Sequence, residues 1–215
     1  MKEKPPQNSD TVFVLALMLP VLLFSGFGSH YPQMWLLEVS PVFSGMVVIY
    51  FMRKRFPLSR MLLVVLSLFV LIHLMGAHYS HSEVPFGNWL QEYFSLERNP
   101  FDRIAHLAQG AVAAIFFREI LVRSSMRISG SALFLLVSAC SLAFAALYEL
   151  LEFGAWSIIL LKYSPENVNI LGAQGDMWDT QWDMLLCLVG AVCTLRLLAH
   201  SHDTSLHKLL LRETS

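Results

Sequence analysis

The sequence predicts an all-α protein: a polytopic membrane bundle of about six transmembrane helices with both termini cytoplasmic. Three observations predict it. Of the 215 residues, 55% are hydrophobic and only 14% are charged, whereas a soluble domain carries roughly 25% charged residues. The apolar residues gather into runs close to the ~20 residues that cross ~30 Å of hydrocarbon. The basic residues collect on one side of those runs, as cytoplasmic loops do.

The first span, 11–28, follows Lys2 and Lys4. Its small residues from Ser25 to Ser29 resemble the end of a secretory signal, but Phe27 interrupts them and no A-x-A site follows, so it reads as an uncleaved span. The second, 34–52, stops at Arg53, Lys54 and Arg55, and Arg60 precedes the third, 61–79. The loop 80–100 carries Trp89, Tyr93 and Phe94, aromatics suited to a short amphipathic segment along the interface. The fourth span covers 101–119, and Arg118, Arg123 and Arg127 close it. The fifth, 129–153, ends near Gly154 or runs on to Leu161, which the sequence leaves open. A polar loop, 162–177, leads to the sixth span, 178–199. Residues 200–215, with His200, His202 and His207, read as a polar, solvated cytoplasmic tail. Placing the N-terminus in the cytoplasm puts twelve of the fifteen Lys and Arg inside and leaves only Arg98, Arg103 and Lys162 outside. The whole chain, 1–215, reads as one membrane domain.

Composition also excludes. A net charge of −1 gives no electrostatic support to a nucleic-acid partner, so membrane lipids are the expected partners, and protein partners cannot be read. Cys140, Cys187 and Cys193 form no CxxC pair or disulfide framework and read as small buried hydrophobes. Gln174-Gly175-Asp176 lacks the Gly-rich run and Lys of a phosphate loop, and no HExxH is present. Gly110, Gly172, Gly175 and Gly190 suit close helix packing or turns.

Ionisable residues collect at one edge of four spans. Asp102, His106 and Gln109 are spaced i, i+4, i+7 on the fourth, so they share a face. Asp179 and Asp183 do the same on the sixth, and Asp176 extends that face. Glu149 and Glu152 lie one turn apart at the end of the fifth. His73 and His78 approach the same edge on the third, with Gly76 between them allowing the helix to end or bend. Trp178 and Trp182 flank the acids as an interfacial belt or the wall of a lipid site. Carboxylates and neutral imidazoles together can hold a divalent metal or work as acid and base. The candidate catalytic residues are His78, Asp102, His106, Glu149, Asp179 and Asp183. The candidate binding residues are His73, Gln109, Glu152, Asp176, Trp178 and Trp182. The candidate metal ligands are His106, Glu149, Asp179 and Asp183. Each has a bland alternative: N-caps for Asp102 and Asp179, headgroup exposure for Glu149, a packing histidine for His106. Asp183, a full turn inside an apolar helix, is the hardest to explain that way.

Three functions suit such an edge: an enzyme on a lipid or envelope substrate, assisted by a divalent metal ion; a proton-coupled or solute transporter, which needs polar groups continuing into the inner halves of the helices; and a structural network without chemistry.

The runs HLMGAHYSHSEVPFG (73–87), DRIAHLAQG (102–110), YELLEF (148–153) and LGAQGDMWDTQWDM (171–184) resemble the YjdF-type bacterial inner-membrane proteins, a family without an established activity. The resemblance implies a multi-pass inner-membrane location. Asp102-Arg103 with His106, then Glu149, then Asp179 or Asp183 before Gly190-Ala191 are more distantly similar to the VanZ-like membrane proteins, with Arg103 where that pattern has Lys.

Overall fold

Long apolar runs leave the backbone one way to satisfy its N–H and C=O groups in hydrocarbon, the helix. The computed structural model, which describes residues 9–126, 128–162 and 173–213, follows that rule. Among those residues there are seven α-helices: α1 (Ser9–Gly26), α2 (Pro32–Met52), α3 (Arg60–Tyr79), α4 (Pro85–Phe94), α5 (Phe101–Arg123), α6 (Gly130–Lys162) and α7 (Asp179–Glu213). All but the short α4 are long and apolar enough to span a membrane. Lys2, Lys4, Arg127 and residues 163–172 of the expected 162–177 loop lie outside the described residues.

The spans alternate in direction, which brings both ends of the described chain to one end of the bundle. There Arg60 pairs with Asp10 at 2.7 Å, and the Met61 N–H donates to Ser205 Oγ at 3.1 Å. Ser59 caps α3, its Oγ accepting the Leu62 N–H at 3.2 Å. At the opposite end the His30 N–H donates to the His78 carbonyl.

Packing centres on α5, the span with the largest buried share. Leu62, Leu63, Val112 and Ile115 join α3 to α5, while Ala114, Val137, Ala191 and Leu195 join α5, α6 and α7. α5 and α7 approach backbone to backbone: a Cβ at Gly110 would overlap the Cys187 carbonyl oxygen, and one at Gly190 would overlap that of Leu107. Small residues permit this approach where lipid offers no hydrophobic drive. It sets the register that brings the α5 acids opposite those of α7.

Two boundaries differ from the sequence reading. α6 continues to Lys162, which settles its open end in favour of the longer helix. α7 runs through the expected polar tail to Glu213. Its 35 residues extend ~52 Å, well beyond the hydrocarbon thickness. The 200–213 stretch is no solvated tail, because it carries a buried face: His202 is 0% and Leu206 3% exposed.

Candidate functional site: an acid–histidine cluster between α5 and α7

The chain entering α5 is tied down before the first acid appears. Asn99, almost fully buried, gives its side-chain amide to the Val84 carbonyl and to Asn88 Oδ1, and its Oδ1 accepts the Phe101 N–H. Its backbone exchanges two hydrogen bonds with the Gln174 side chain, at 2.9 and 3.0 Å. The α4–α5 turn and the approach to α7 are thereby locked together.

Arg98 stands on that platform amid three carboxylates: Asp179 at 2.5 Å, Asp176 at 3.3 Å and Asp102 at 3.6 Å. Burial works against its charge, but the Asp179 bond with the Asp102 and Asp176 charges outweighs it and raises the Arg98 pKa. Arg103 pairs with Asp176 at 3.0 Å and lies over the Trp182 ring. Asp176 Oδ1 accepts the Trp178 N–H; that bond, then the charges of Arg98 and Arg103, holds the Asp176 carboxyl below its usual range.

One turn into α5, His106 faces the acids. Its Nδ1 donates to Gln109 Oε1 at 2.8 Å, so Nε2 presents its lone pair. Nε2 stands 3.6 Å from Asp102 Oδ1 and 3.8 Å from Asp183 Oδ2. Asp102, His106 and Asp183 each offer one ligand atom, all within 4.8 Å of one another. Two ligands held at ~2.1 Å by a tetrahedral metal are ~3.4 Å apart, so the observed gaps are close to what a bound ion needs. The Gln109 bond is the outer contact that fixes the tautomer of a metal-binding histidine. Asp183 Oδ1 is buried without a hydrogen-bond partner, a costly state for a carboxylate oxygen unless a cation or proton reaches it.

The structure therefore gathers a different trio from the set His106, Glu149, Asp179 and Asp183. His106 and Asp183 stay, and Asp102 joins them, because it lies i, i+4 from His106 on one helix face. Asp102 sits inside the first turn, while Pro100 occupies the cap position without a side-chain bond. Asp179 is turned to Arg98. Glu149 is buried near the Thr180 hydroxyl, with Oε1 unpartnered; Glu152, near the same helix end, is exposed. Trp178 and Trp182 are exposed at this end, as an interfacial belt requires. His78 is directed toward α1, its Nδ1 bonded to the Ser25 carbonyl at 2.8 Å, so it ties two spans together. His73 donates from Nε2 to the Glu38 carbonyl and stacks on Phe69.

Sequence reasoning missed three members. Arg98 looked like an exception to the charge bias. Glu38, the only acid in the second span, carried a usable signal, since a lone intramembrane acid asks for a partner. That partner is His81, at 3.2 Å, whose ring lies where a Cβ on Gly76 would be; α3 does not end at Gly76 but continues to Tyr79. Burial alone would lower the His81 pKa, but Glu38, with Asp102 and Glu152 beyond it, pushes it up to about 9.

A second charged group closes the opposite end of the bundle. Glu119, fully buried, accepts the Ser59 N–H at 3.0 Å and Arg123 at 3.2 Å on Oε1, and His202 Nε2 at 3.2 Å on Oε2. Arg118 donates to His202 Nδ1 and pairs with Asp203 at 2.8 Å. Cys140, Cys187 and Cys193 are free thiols; Cys187 is buried and Cys193 is exposed.

Six membrane-spanning helices, two of them packed around an acid–histidine cluster, define a multi-pass helical membrane protein. Comparison with known proteins identifies it further. Residues 11–204 match the DUF2238 family of predicted membrane proteins, and the chain belongs to that family. It is 36% identical over 188 residues, 87% of this chain and 88% of the relative, to the inner membrane protein YjdF of Escherichia coli K12. With that relative and its six spans, the chain is a multi-pass inner-membrane protein. No solved structure matches it. Neither match carries the VanZ-like resemblance.

Proposed function

We propose that this chain is a metal-assisted enzyme acting on a lipid or envelope substrate, with Asp102, His106 and Asp183 holding a divalent transition metal at the periplasmic end of the bundle. The observation that carries this reading is the trio: three ligand atoms within 4.8 Å, one from a histidine already oriented by Gln109, beside a buried carboxylate oxygen with no partner. The orientation is supported by the basic residues at the α2–α3 turn and by Arg118 and Arg123, all at the end opposite the trio.

A bound divalent ion would supply Lewis acidity to a substrate oxygen or a bound water. Glu149, buried with one free oxygen, is placed to move a proton as acid or base. Arg98 is the positioning residue, tying Asp179 of α7 to Asp102 of α5. The exposed Trp178 and Trp182 set the cluster at headgroup depth.

Transport is the weaker reading. Polar groups do recur at the other end, at Arg118, Glu119 and His202, but the α5 segment from Gly110 to Phe117 between the two groups is without polar side chains. Eight residues at ~1.5 Å each make ~12 Å of α5 without an ionisable group.

The test is metal content by elemental analysis of full-length protein purified without a His-tag, alongside variants. Near-stoichiometric metal in the parent and in Glu152→Gln, lost in His106→Ala and Asp183→Asn that still melt cooperatively, is the expected result. Absence of metal from the parent, reloaded with zinc or manganese and then dialysed, would sink the proposal.

A further inference from the structure

Behind the trio the bundle is open. A cavity of about 150 Å³ lies among α1, α2, α3, α5 and α6. Its walls are apolar: Met18 of α1, Val42, Met46 and Ile49 of α2, Val70 of α3 and Phe144 of α6. Ser67 of α3 also lines it, and its polar end is where His73 of α3, Gln109 of α5 and Tyr148 of α6 meet it. Each of these three groups also touches the cluster. Gln109 holds His106 Nδ1, the Tyr148 ring lies edge-on to His106 at 6.3 Å, and the His73 ring is 5.4 Å from His81. The apolar cleft and the acid–histidine cluster are thus two sides of one wall.

We infer that this cleft is the subsite for an acyl chain of a phospholipid whose headgroup meets the acid–histidine cluster. The inference rests on the proposed function for the headgroup and on the cleft itself for the chain. Three observations select the occupant. The cleft lies at mid-span depth, among α1 residues from Val14 and α2 residues from Pro41 to Ile49, where hydrocarbon is the surrounding solvent. Phe144 and Pro41, which line it, are themselves exposed, so lipid tails reach residues that wall the cleft. Its volume equals that of apolar protein cavities that bind benzene, so it seats roughly six carbons, the inner end of one chain. Away from that polar end a water-soluble substrate would meet only the Ser67 hydroxyl, which is already bonded to the Leu63 carbonyl.

Gly45 makes the site testable. It lines the cleft, and a Cβ there meets nothing within 4 Å. A tryptophan at 45 therefore starts from open space and takes the room that a bound chain would use, and loss of a mid-helix glycine favours helix.

The full chain is placed in nanodiscs of phosphatidylethanolamine and phosphatidylglycerol containing a trace of phosphatidylethanolamine with a diazirine in its acyl chain, irradiated, and mapped by peptide mass spectrometry. Adducts should favour Val42, Met46 and Val70 over Phe43 and Val47, the lipid-facing neighbours on α2. Gly45→Trp should reduce the cleft adducts about tenfold, equivalent to ~1.4 kcal/mol of binding, with the Phe43 adducts and the melting temperature unchanged. Equal labelling of cleft and lipid-facing positions, insensitive to Gly45→Trp, would overturn the subsite. Metal content is read on the same samples: Gly45→Trp that loses cleft adducts and keeps its metal is the subsite's signature, whereas labelled but metal-free protein contradicts the metal centre alone.

Discussion

Adding one methyl group at Gly110 should destabilise the bundle, although the same change in an open helix would stabilise it. Gly→Ala in a helix interior normally gains ~1 kcal/mol from propensity. At Gly110 the new Cβ collides with the Cys187 carbonyl oxygen and comes close to the Ala191 backbone nitrogen. Both are backbone atoms and cannot rotate aside, so α5 and α7 must separate. Overpacking of this kind costs ~1–3 kcal/mol, and a collision with backbone belongs at the upper end, so the net loss after the propensity gain is about 2 kcal/mol. At ~2–4 °C per kcal/mol for a chain of this length, the melting temperature should fall by several degrees. Gly45→Ala is the control, because its Cβ meets open space; it should hold or raise the melting temperature. Separation of the helices would also widen the 3.8 Å gap between His106 and Asp183, so Gly110→Ala should lose metal as well as stability. The assay is thermal unfolding in one detergent, with the two alanine variants side by side and metal measured before heating. If Gly110→Ala melted at or above the parent, like Gly45→Ala, the backbone contact between α5 and α7 would be refuted.

Other outcomes follow from the same contacts. Glu38→Gln should return the His81 pKa from about 9 toward 6.5; a pKa raised on folding stabilises below its unfolded value and is lost as pH rises through the folded one, so up to ~3 kcal/mol should disappear from the parent between pH 6.5 and 9, read as a pH series of melting curves that flattens in Glu38→Gln. Glu119→Ala removes the carboxylate shared by Ser59, Arg123 and His202 and should cost ~3–5 kcal/mol, with His202→Ala far from additive on top of it in a double-mutant cycle. Truncation after residue 199 strips the buried His202 and Leu206 from the bundle and should lower the melting temperature sharply, whereas truncation after Glu213 should not. Gln109→Leu removes the acceptor for His106 Nδ1 and should weaken metal affinity about 10–100-fold with the fold intact, measured by competition with a chelator.

The spans were legible because hydrophobic length and charge bias are properties of a continuous run. The face pairing of Asp102 with His106 was legible too, since i, i+4 spacing fixes it within one helix. What could not be read was which helix face meets which. Asp179 and Asp183 share one helix face in the sequence, yet Arg98 claims the first and His106 faces the second, a choice set by the register of Gly110 against Cys187 and Gly190 against Leu107. His78 shows the same limit: its position near the cluster end suggested chemistry, and its rotation about α3 sends it to Ser25. The 200–213 stretch was misread because its charges look solvated in a list, while in space the helix buries His202 against the carboxylate of Glu119, 83 residues away.

The central claim is a metal held by Asp102, His106 and Asp183, and X-ray absorption at the edge of the metal that copurifies with the untagged chain tests it most directly. The account predicts a first shell of oxygen and nitrogen only, with the scattering signature of a single imidazole that vanishes in His106→Gln. A sulfur shell from the cysteines, two or more imidazoles, or a spectrum unchanged by His106→Gln would contradict it.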